Sequence, residues 1–383
     1  MRSRIFRTAV GTLFFGLAVF VILYFLMPHV SRNVYLAFKK TELEGWPTNT
    51  SRRLIPLDQL DNSGLPKDGM PAVDMPVFVD VSDASEWMYP NEPVISVIIE
   101  GTARAYPLNI LLWHGVINDV VNEMPIAVTF CPLTYSSAVY EGQIEGRKIR
   151  FGVSGMLRNS NMILYDRLTH SMWQQLTGRA VIGDLAGEEV NVLISQVIPF
   201  NKFAVSYPDG KVMSRNTGFE RDYGTNPYVG YDNISNLPNK FTGVVDASLC
   251  PMEKVVSVYV DGKTKAYPYY FTHLRGVVND IVGKTGVVIF HEDKMVSPLD
   301  CKQIKNSRHI GATGAFLRQI DEYELTFSYD GEYFVDDQTR SLWDITGLAV
   351  KGKLAGKRLV PVRHLNSFAF AWLVFNPGGN IYE

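Results

Sequence analysis

The 383-residue sequence predicts an α+β, β-rich body of two tandem homologous copies in a pseudo-symmetric arrangement, preceded by one N-terminal transmembrane helix. Three observations carry this expectation. Ala105-Tyr106-Pro107 followed by Gly115-Val116-Ile117-Asn118-Asp119 recurs 161 residues later as Ala266-Tyr267-Pro268 and Gly276-Val277-Val278-Asn279-Asp280, which marks an internal duplication. Short apolar runs bounded by turn residues dominate both copies, as strands do. Residues 9–27 form an uncharged, nearly continuous apolar run of 19 residues, enough as a helix to span a bilayer core.

The elements follow in order. Residues 1–8 carry Arg2, Arg4 and Arg7, so the positive-inside rule places them in the cytoplasm and the body outside, although Arg32, Lys39 and Lys40 lie on the far side. The apolar run is too long for an ordinary signal peptide, and no small-x-small cleavage site follows it, so residues 9–27 read as an uncleaved single-pass anchor. Residues 28–68 form a juxtamembrane segment. The first copy spans 69–212, a connecting segment rich in Asn, Gly, Tyr and Pro spans 213–244, and a second, degenerate copy spans 245–383. Val94–Ile99 and Thr102–Tyr106 around Glu100-Gly101 predict a hairpin, repeated from Val256 to Tyr267 around Asp261-Gly262. Short helices are expected over 107–116, from an Asn cap at Asn201 to Tyr207, and from an Asn cap at Asn366 to Phe375.

Without residues 1–40 the chain keeps 31 basic and 39 acidic residues, a net charge of −8. Such a body lacks the basic footprint that nucleic acid requires. The three cysteines cannot all pair with one another, so an oxidising compartment leaves at least one thiol unpaired. Cys250 with Cys301 is one arrangement and three reduced, buried thiols is another.

Residues kept in both copies are expected to hold the fold: Asn118/Asn279, Asp119/Asp280, Asp166/Asp336, Thr169/Thr339, Ser171/Ser341 and Trp173/Trp343. Residues present in one copy are candidates for function, and this comparison points to the first. Cys131, in Cys131-Pro132-Leu133-Thr134, aligns with Glu292, or with His291 if the register slips by one, and His114 aligns with Arg275. A strand-end thiol held as thiolate by an imidazole is a nucleophile, so Cys131 and His114 are the candidate catalytic residues. Ser136 and Ser137 are candidate donors beside them. Phe151 to Asp166 is six residues longer than Phe327 to Asp336; it reads as a connecting loop whose Ser154, Arg158, Asn159 and Asn161, with Arg221 of the connecting segment, offer donors for an anion. The opposing reading is that Cys131 is a small buried hydrophobe. No Cys-x-x-Cys, Walker loop, nucleophile elbow or HExxH motif is present, no metal ligand set is assigned, and the sequence names no cofactor.

Cys131-Pro132-Leu133, Trp113-His114 before Asn118-Asp119, Gly152-Val153-Ser154-Gly155 before Asp166 and Trp173, and Thr217–Tyr223 with Pro227-Tyr228 together resemble the bacterial and archaeal family catalogued as domain of unknown function 3179. The resemblance runs from about Ile55 to the last helix and includes Asp74. It implies secreted or membrane-anchored proteins of no established activity. The positions carried over are His114, Asn118, Asp119, Cys131, Ser136, Ser154, Gly155, Asn159, Asn161, Asp166, Trp173 and Arg221, none with an assigned role. Gly115 stands where a glutamate is frequent in the family, so a base at that position is missing here.

Three expectations result. The first is a membrane-anchored, extracytoplasmic protein that binds a small polar or anionic ligand in the first copy beside Cys131, in its reactive form with thiol chemistry. The second is a non-catalytic cell-envelope interaction module. The third is a copper or zinc site at Cys131 and His114. Whether the protein is an enzyme is left open.

Overall fold

The computed structural model describes residues 42–383, of which 47–383 form one compact unit. Pro93–Ile99 (β1) and Thr102–Pro107 (β2) pair antiparallel, and the two-residue turn between them places Glu100 and Gly101 at φ 47° and 81°. Left-handed backbone at both central positions makes the twist of the turn match that of the strands. Extended Pro107 then leads into helix α1 (Leu108–His114), which stops at Gly115 in left-handed backbone. Val116–Val121 (β3), Met124–Cys131 (β4) and Ser136–Glu141 (β5) form a meander. Phe151–Arg158 (β6), Asn161–Asp166 (β7), Met172–Gln174 (β8) and Arg179–Ile182 (β9) form the next sheet. Ser195–Pro199 (β10) returns to β1, helix α2 (Phe200–Ser206) follows, and Lys211–Met213 (β11) lies parallel to β2.

The same order recurs in the second half. Lys254–Val260 (β12) and Lys263–Pro268 (β13) make the hairpin, helix α3 covers Tyr269–Arg275, and Val277–Val282 (β14), Thr285–Glu292 (β15) and Ala312–Leu317 (β16) make the meander. Phe327–Tyr329 (β17), Phe334–Asp336 (β18), Leu342–Trp343 (β19) and Ala349–Lys351 (β20) make the four-stranded sheet. Arg363–Phe368 (β21), helix α4 (Ala369–Phe375) and Asn380–Ile381 (β22) close the chain, with β22 parallel to β13. Val116↔Thr129 in the first half corresponds to Val277↔Phe290 in the second, and Arg104↔Lys211 to Lys265↔Asn380.

Polar residues present in both halves do the same work in each. Asn118 donates to Phe151 O at 2.9 Å and accepts from Phe151 N at 2.9 Å; Asn279 does both with Phe327 at 2.8 and 2.9 Å. Each amide thereby ties a meander strand to the neighbouring sheet. Asp166 gathers Thr169, Ser171 N and Trp173 Nε1 (2.9 Å), as Asp336 gathers Thr339, Ser341 N and Trp343 Nε1 (3.0 Å). Both indoles are buried, so their N–H groups need such partners.

The halves meet through their returning strands. β10 lies against β16 and β21, and β5 lies against β21. Gln196 on β10 donates to Thr313 O at 3.1 Å and Ile345 O at 2.8 Å, and buried Leu365 of β21 packs into a core cluster made otherwise of first-half residues.

Three local expectations are corrected. The stretch 151–166 is not a loop but the β6–β7 hairpin, with Asn159 and Ser160 at φ 49° and 65° in its turn and a bulge between Val153 and Met156. Asn201 caps nothing: α2 begins after extended Pro199, which pairs with Pro93. Asn366 lies inside β21, its amide reaching Tyr269 OH (2.5 Å) and Thr313 Oγ1 (3.2 Å), because ladder pairing with β12 keeps the chain extended to Phe368. The expected anchor at 9–27 lies outside the described residues, and among the described residues no helix is long and apolar enough to cross a membrane.

Candidate functional site

Strand β4 ends at Cys131, which pairs with Ser136 across a single 3-10 turn, Pro132–Thr134, closed by Tyr135 in left-handed backbone (φ 51°). β15 ends at the matching place with Glu292, so Glu292 and not His291 is the counterpart of Cys131.

Beneath the turn lies a closed polar network. Asn161 Nδ2 is within hydrogen-bonding reach of Thr134 Oγ1 (2.9 Å), Ser136 Oγ (3.2 Å) and Gln175 Oε1 (2.8 Å), while its Oδ1 accepts from Gln174 Nε2 (2.6 Å) and Leu176 N (2.9 Å). Gln175 Nε2 continues to Thr129 Oγ1 at 2.9 Å. All of these side chains are buried. A buried network with every member satisfied rigidifies its surroundings, so Cys131 is held on a fixed turn.

Cys131 contributes to the wall of a cavity of about 790 Å³, a volume within the range of small-molecule sites. Leu65, Met70, Trp113, Leu133, Met156 and Met162 give it a largely apolar lining, with Tyr228 and Tyr231 from the connecting segment, and exposed Arg221 adds a cation. Among the described residues no carboxylate pairs with Arg221, whose guanidinium donates to Glu220 O at 2.9 Å. Gly155, at φ 80°, lets the β6 bulge approach the cavity wall, since a Cβ there would stand 2.3 Å from Leu65 O.

The thiol is wholly buried; burial pushes its pKa up against the hydrogen bonds from Thr134 and neighbouring backbone that would lower it. His114 is not its partner. Nδ1 of His114 meets Pro71 O at 2.7 Å and Nε2 meets Tyr223 OH at 2.6 Å, so both ring nitrogens are engaged away from Cys131. Burial also lowers the His114 pKa, favouring the neutral ring. Nothing in this geometry makes a thiolate at neutral pH: burial raises the pKa of the thiol, and the ring nitrogens of His114 meet Pro71 and Tyr223.

The other residues singled out above are dispersed. Ser136 and Asn161 belong to the buried network, and Ser137 is buried in β5. Ser154 Oγ accepts from Met156 N at 3.0 Å and donates to Ile163 O, which stabilises the bulge. Arg158 reaches Gln59 Oε1 at 2.9 Å and Gln174 Oε1 at 3.4 Å, and Asn159 accepts from Thr242 Oγ1 at 3.3 Å. Of the candidates, Cys131 and Arg221 line the cavity. None of the three cysteines is in a disulfide, and Cys250 is exposed rather than buried.

A family model described as protein of unknown function DUF3179 matches residues 67–379, most of the chain. The protein belongs to the DUF3179 family. Neither the curated proteins nor the solved structures contain a match to it. The DUF3179 match covers the connecting segment and most of both halves, so the cavity wall lies within the family region except at Ser63 and Leu65.

Two features of this DUF3179 protein escape a reading of the sequence that looks for chemistry in the first copy. Three methionines, Met70, Met156 and Met162, line the cavity with Cys131, and only packing brings them there. His273, His291 and Asp293 converge in the second half, with their ligand-type atoms within 4.8 Å of one another. The first-half counterparts of these three are Leu112, Phe130 and Pro132. The comparison between copies that singled out Cys131 therefore contained the signal.

Proposed function

We propose that this protein is a membrane-anchored, extracytoplasmic binding protein that takes a small ligand into the first-half cavity beside Cys131. The observation that carries the reading is the cavity of about 790 Å³ with its apolar lining and the cation of Arg221, which no carboxylate pairs among the described residues. An apolar lining with a few convergent polar groups is the usual chemistry of a small-molecule site, and it selects a ligand with an apolar body and one anionic group. The apolar run at 9–27 supports the anchor, and the matching strand registers of the two halves support a duplicated body in which the second copy completes the core of the first. The buried, protonated thiol favours a binding role for Cys131 over nucleophilic chemistry.

Titration with the fluorescent probe 1-anilinonaphthalene-8-sulfonate, competed by decanoate, tests the reading. Saturable binding that weakens at least tenfold in Arg221→Ala and is blocked in Val229→Trp supports it. Val229 is exposed and lines the cavity, so the bulkier ring fills space without disturbing the core. Probe binding unchanged by both substitutions would sink the cavity as the site.

The interaction-module reading has its own support in the connecting segment, where Val229, Ile234, Leu237 and Val244 are all exposed, as is Val245 just beyond it. Exposed apolar side chains gathered in one segment suit contact with another protein. Loss of a cell-envelope partner on Leu237→Ser, with probe binding intact, would favour this reading over the first.

A further inference from the structure

Helix α3 carries His273 in its last turn, and β15 carries His291 just before its end, with Asp293 immediately beyond. The bond from His291 N to Gly276 O, 2.8 Å, ties the strand end to the residue that terminates the helix, so the two histidines are held side by side. His273 Nδ1 lies 2.7 Å and His291 Nε2 3.2 Å from the same oxygen, Asp293 Oδ1. For bonds of about 2.0–2.1 Å, a tetrahedral metal spaces its ligand atoms about 3.3 Å apart, so small outward shifts would admit an ion.

The proton inventory around His291 points the same way. The Thr272 hydroxyl donates to Tyr269 O at 3.2 Å, which leaves its oxygen to accept from His291 Nδ1–H at 2.9 Å. When the hydroxyl donates to Tyr269 in this way, the ring proton sits on Nδ1 and Nε2 carries a lone pair. This nitrogen is fully enclosed, its residue only 2 % exposed, and it meets no hydrogen-bonding partner despite its short distance to Asp293. A lone pair facing a carboxylate oxygen at 3.2 Å is repulsive unless a cation, either a proton or a metal ion, stands between them. The Thr272–His291 bond is the outer-shell contact that orients a metal-binding imidazole.

The surroundings leave room for this role. Gly311, at φ 77°, provides the space for the ring, since a Cβ there would stand 2.1 Å from His291 Nε2. His309 Nδ1 holds Asp293 O at 2.8 Å, and Glu292 is occupied by Lys202 and Lys294 at 2.9 and 3.1 Å. In the first half Leu112, Phe130 and Pro132 fill the same positions, so the fold does not require the cluster.

We infer that His273, His291 and Asp293 form a divalent transition-metal site on the second half. Two imidazoles and one carboxylate suit first-row divalent ions. Three protein ligands, two of them exposed to solvent at 61 % and 58 %, leave a coordination position to water, as in catalytic rather than structural zinc sites. The site lies in the copy that lacks the Cys131 thiol and is independent of the ligand reading above.

The test uses the full-length chain, purified without a histidine tag and stripped with chelator. Zn²⁺ binding is measured by calorimetry, and Co²⁺ binding by its visible d–d absorption. One equivalent per chain is expected, with affinity reduced at least about 10–100-fold, the loss typical even for outer-shell changes, in His273→Ala and in Asp293→Asn. His273 is exposed, so His273→Ala leaves the fold intact, and His114→Gln serves as a control that keeps wild-type affinity. No saturable binding by the wild type, or equal affinity in both ligand variants, overturns the site.

Discussion

Asn161 Nδ2 stands 2.8 Å from Gln175 Oε1, which Ser136 Oγ also reaches at 2.7 Å, and this shared oxygen ties the β6–β7 hairpin to the strand that leaves the Cys131 turn. Asn161 also satisfies Thr134 Oγ1, Gln174 Nε2 and Leu176 N. Replacing it by alanine strands several buried polar groups at about 1–3 kcal/mol each. Asn161→Ala should therefore lose on the order of 3 kcal/mol or more of stability, read as a fall in the urea midpoint with unchanged slope. A loss below about 1 kcal/mol would mean that water replaces the amide and the network is looser than its distances indicate.

Burial raises the Cys131 pKa, so the thiol stays protonated at neutral pH and through the range around 8.5 where a free cysteine ionises. In native protein at pH 7.5, iodoacetamide should label exposed Cys250 first and Cys131 only after unfolding, as peptide mass mapping would show. Native-state labelling of Cys131 as fast as Cys250 would restore the activated thiol that the position of His114 argues against.

Asp232, in the connecting segment, is buried against Lys254 at 2.8 Å and Arg308 at 2.8 Å. Burial alone would raise its pKa, but the attraction of Lys254 and Arg308, with Lys254 and Ser297 donating, holds it below the ordinary carboxylate value. Burial pulls Lys254 down at the same time, so the pair is worth less than its attraction alone. A depressed folded-state pKa contributes stability that is present above the unfolded value of about 3.9 and is lost as pH falls through the folded value. Asp232→Ala leaves a buried cation unpaired and should cost about 3–5 kcal/mol at pH 7. The gap between wild type and variant should narrow as pH drops below about 4. A gap that stays constant to pH 2 in denaturation curves would show that the carboxylate charge contributes nothing.

Much of the fold was legible because its signals are local. Glu100-Gly101 and Asp261-Gly262 demand left-handed backbone and so set the hairpins, and the repeated Asn118/Asn279 and Asp166/Asp336 turned out to bond the same backbone and indole groups in each half. The β6–β7 hairpin was not legible, because its strand pattern is interrupted by the Ser154-Gly155 bulge, which reads as a loop when the partner strand is unknown. The Asn366 cap misled because a cap preference is worth about 1 kcal/mol, less than the ladder pairing that keeps β21 extended.

The sequence by itself determined family and strand-rich class and narrowed the counterpart of Cys131 to Glu292 or His291, since turn residues and a repeat offset encode register along the chain. Tertiary structure alone decided that His114 turns to Tyr223, that Met70 and Tyr228 wall the cavity beside Cys131, and that His273 meets His291 and Asp293. Those contacts join a helix end to a strand end, or a connecting segment to a distant turn. Their geometry is set by how whole sheets pack, which no local pattern of side chains records.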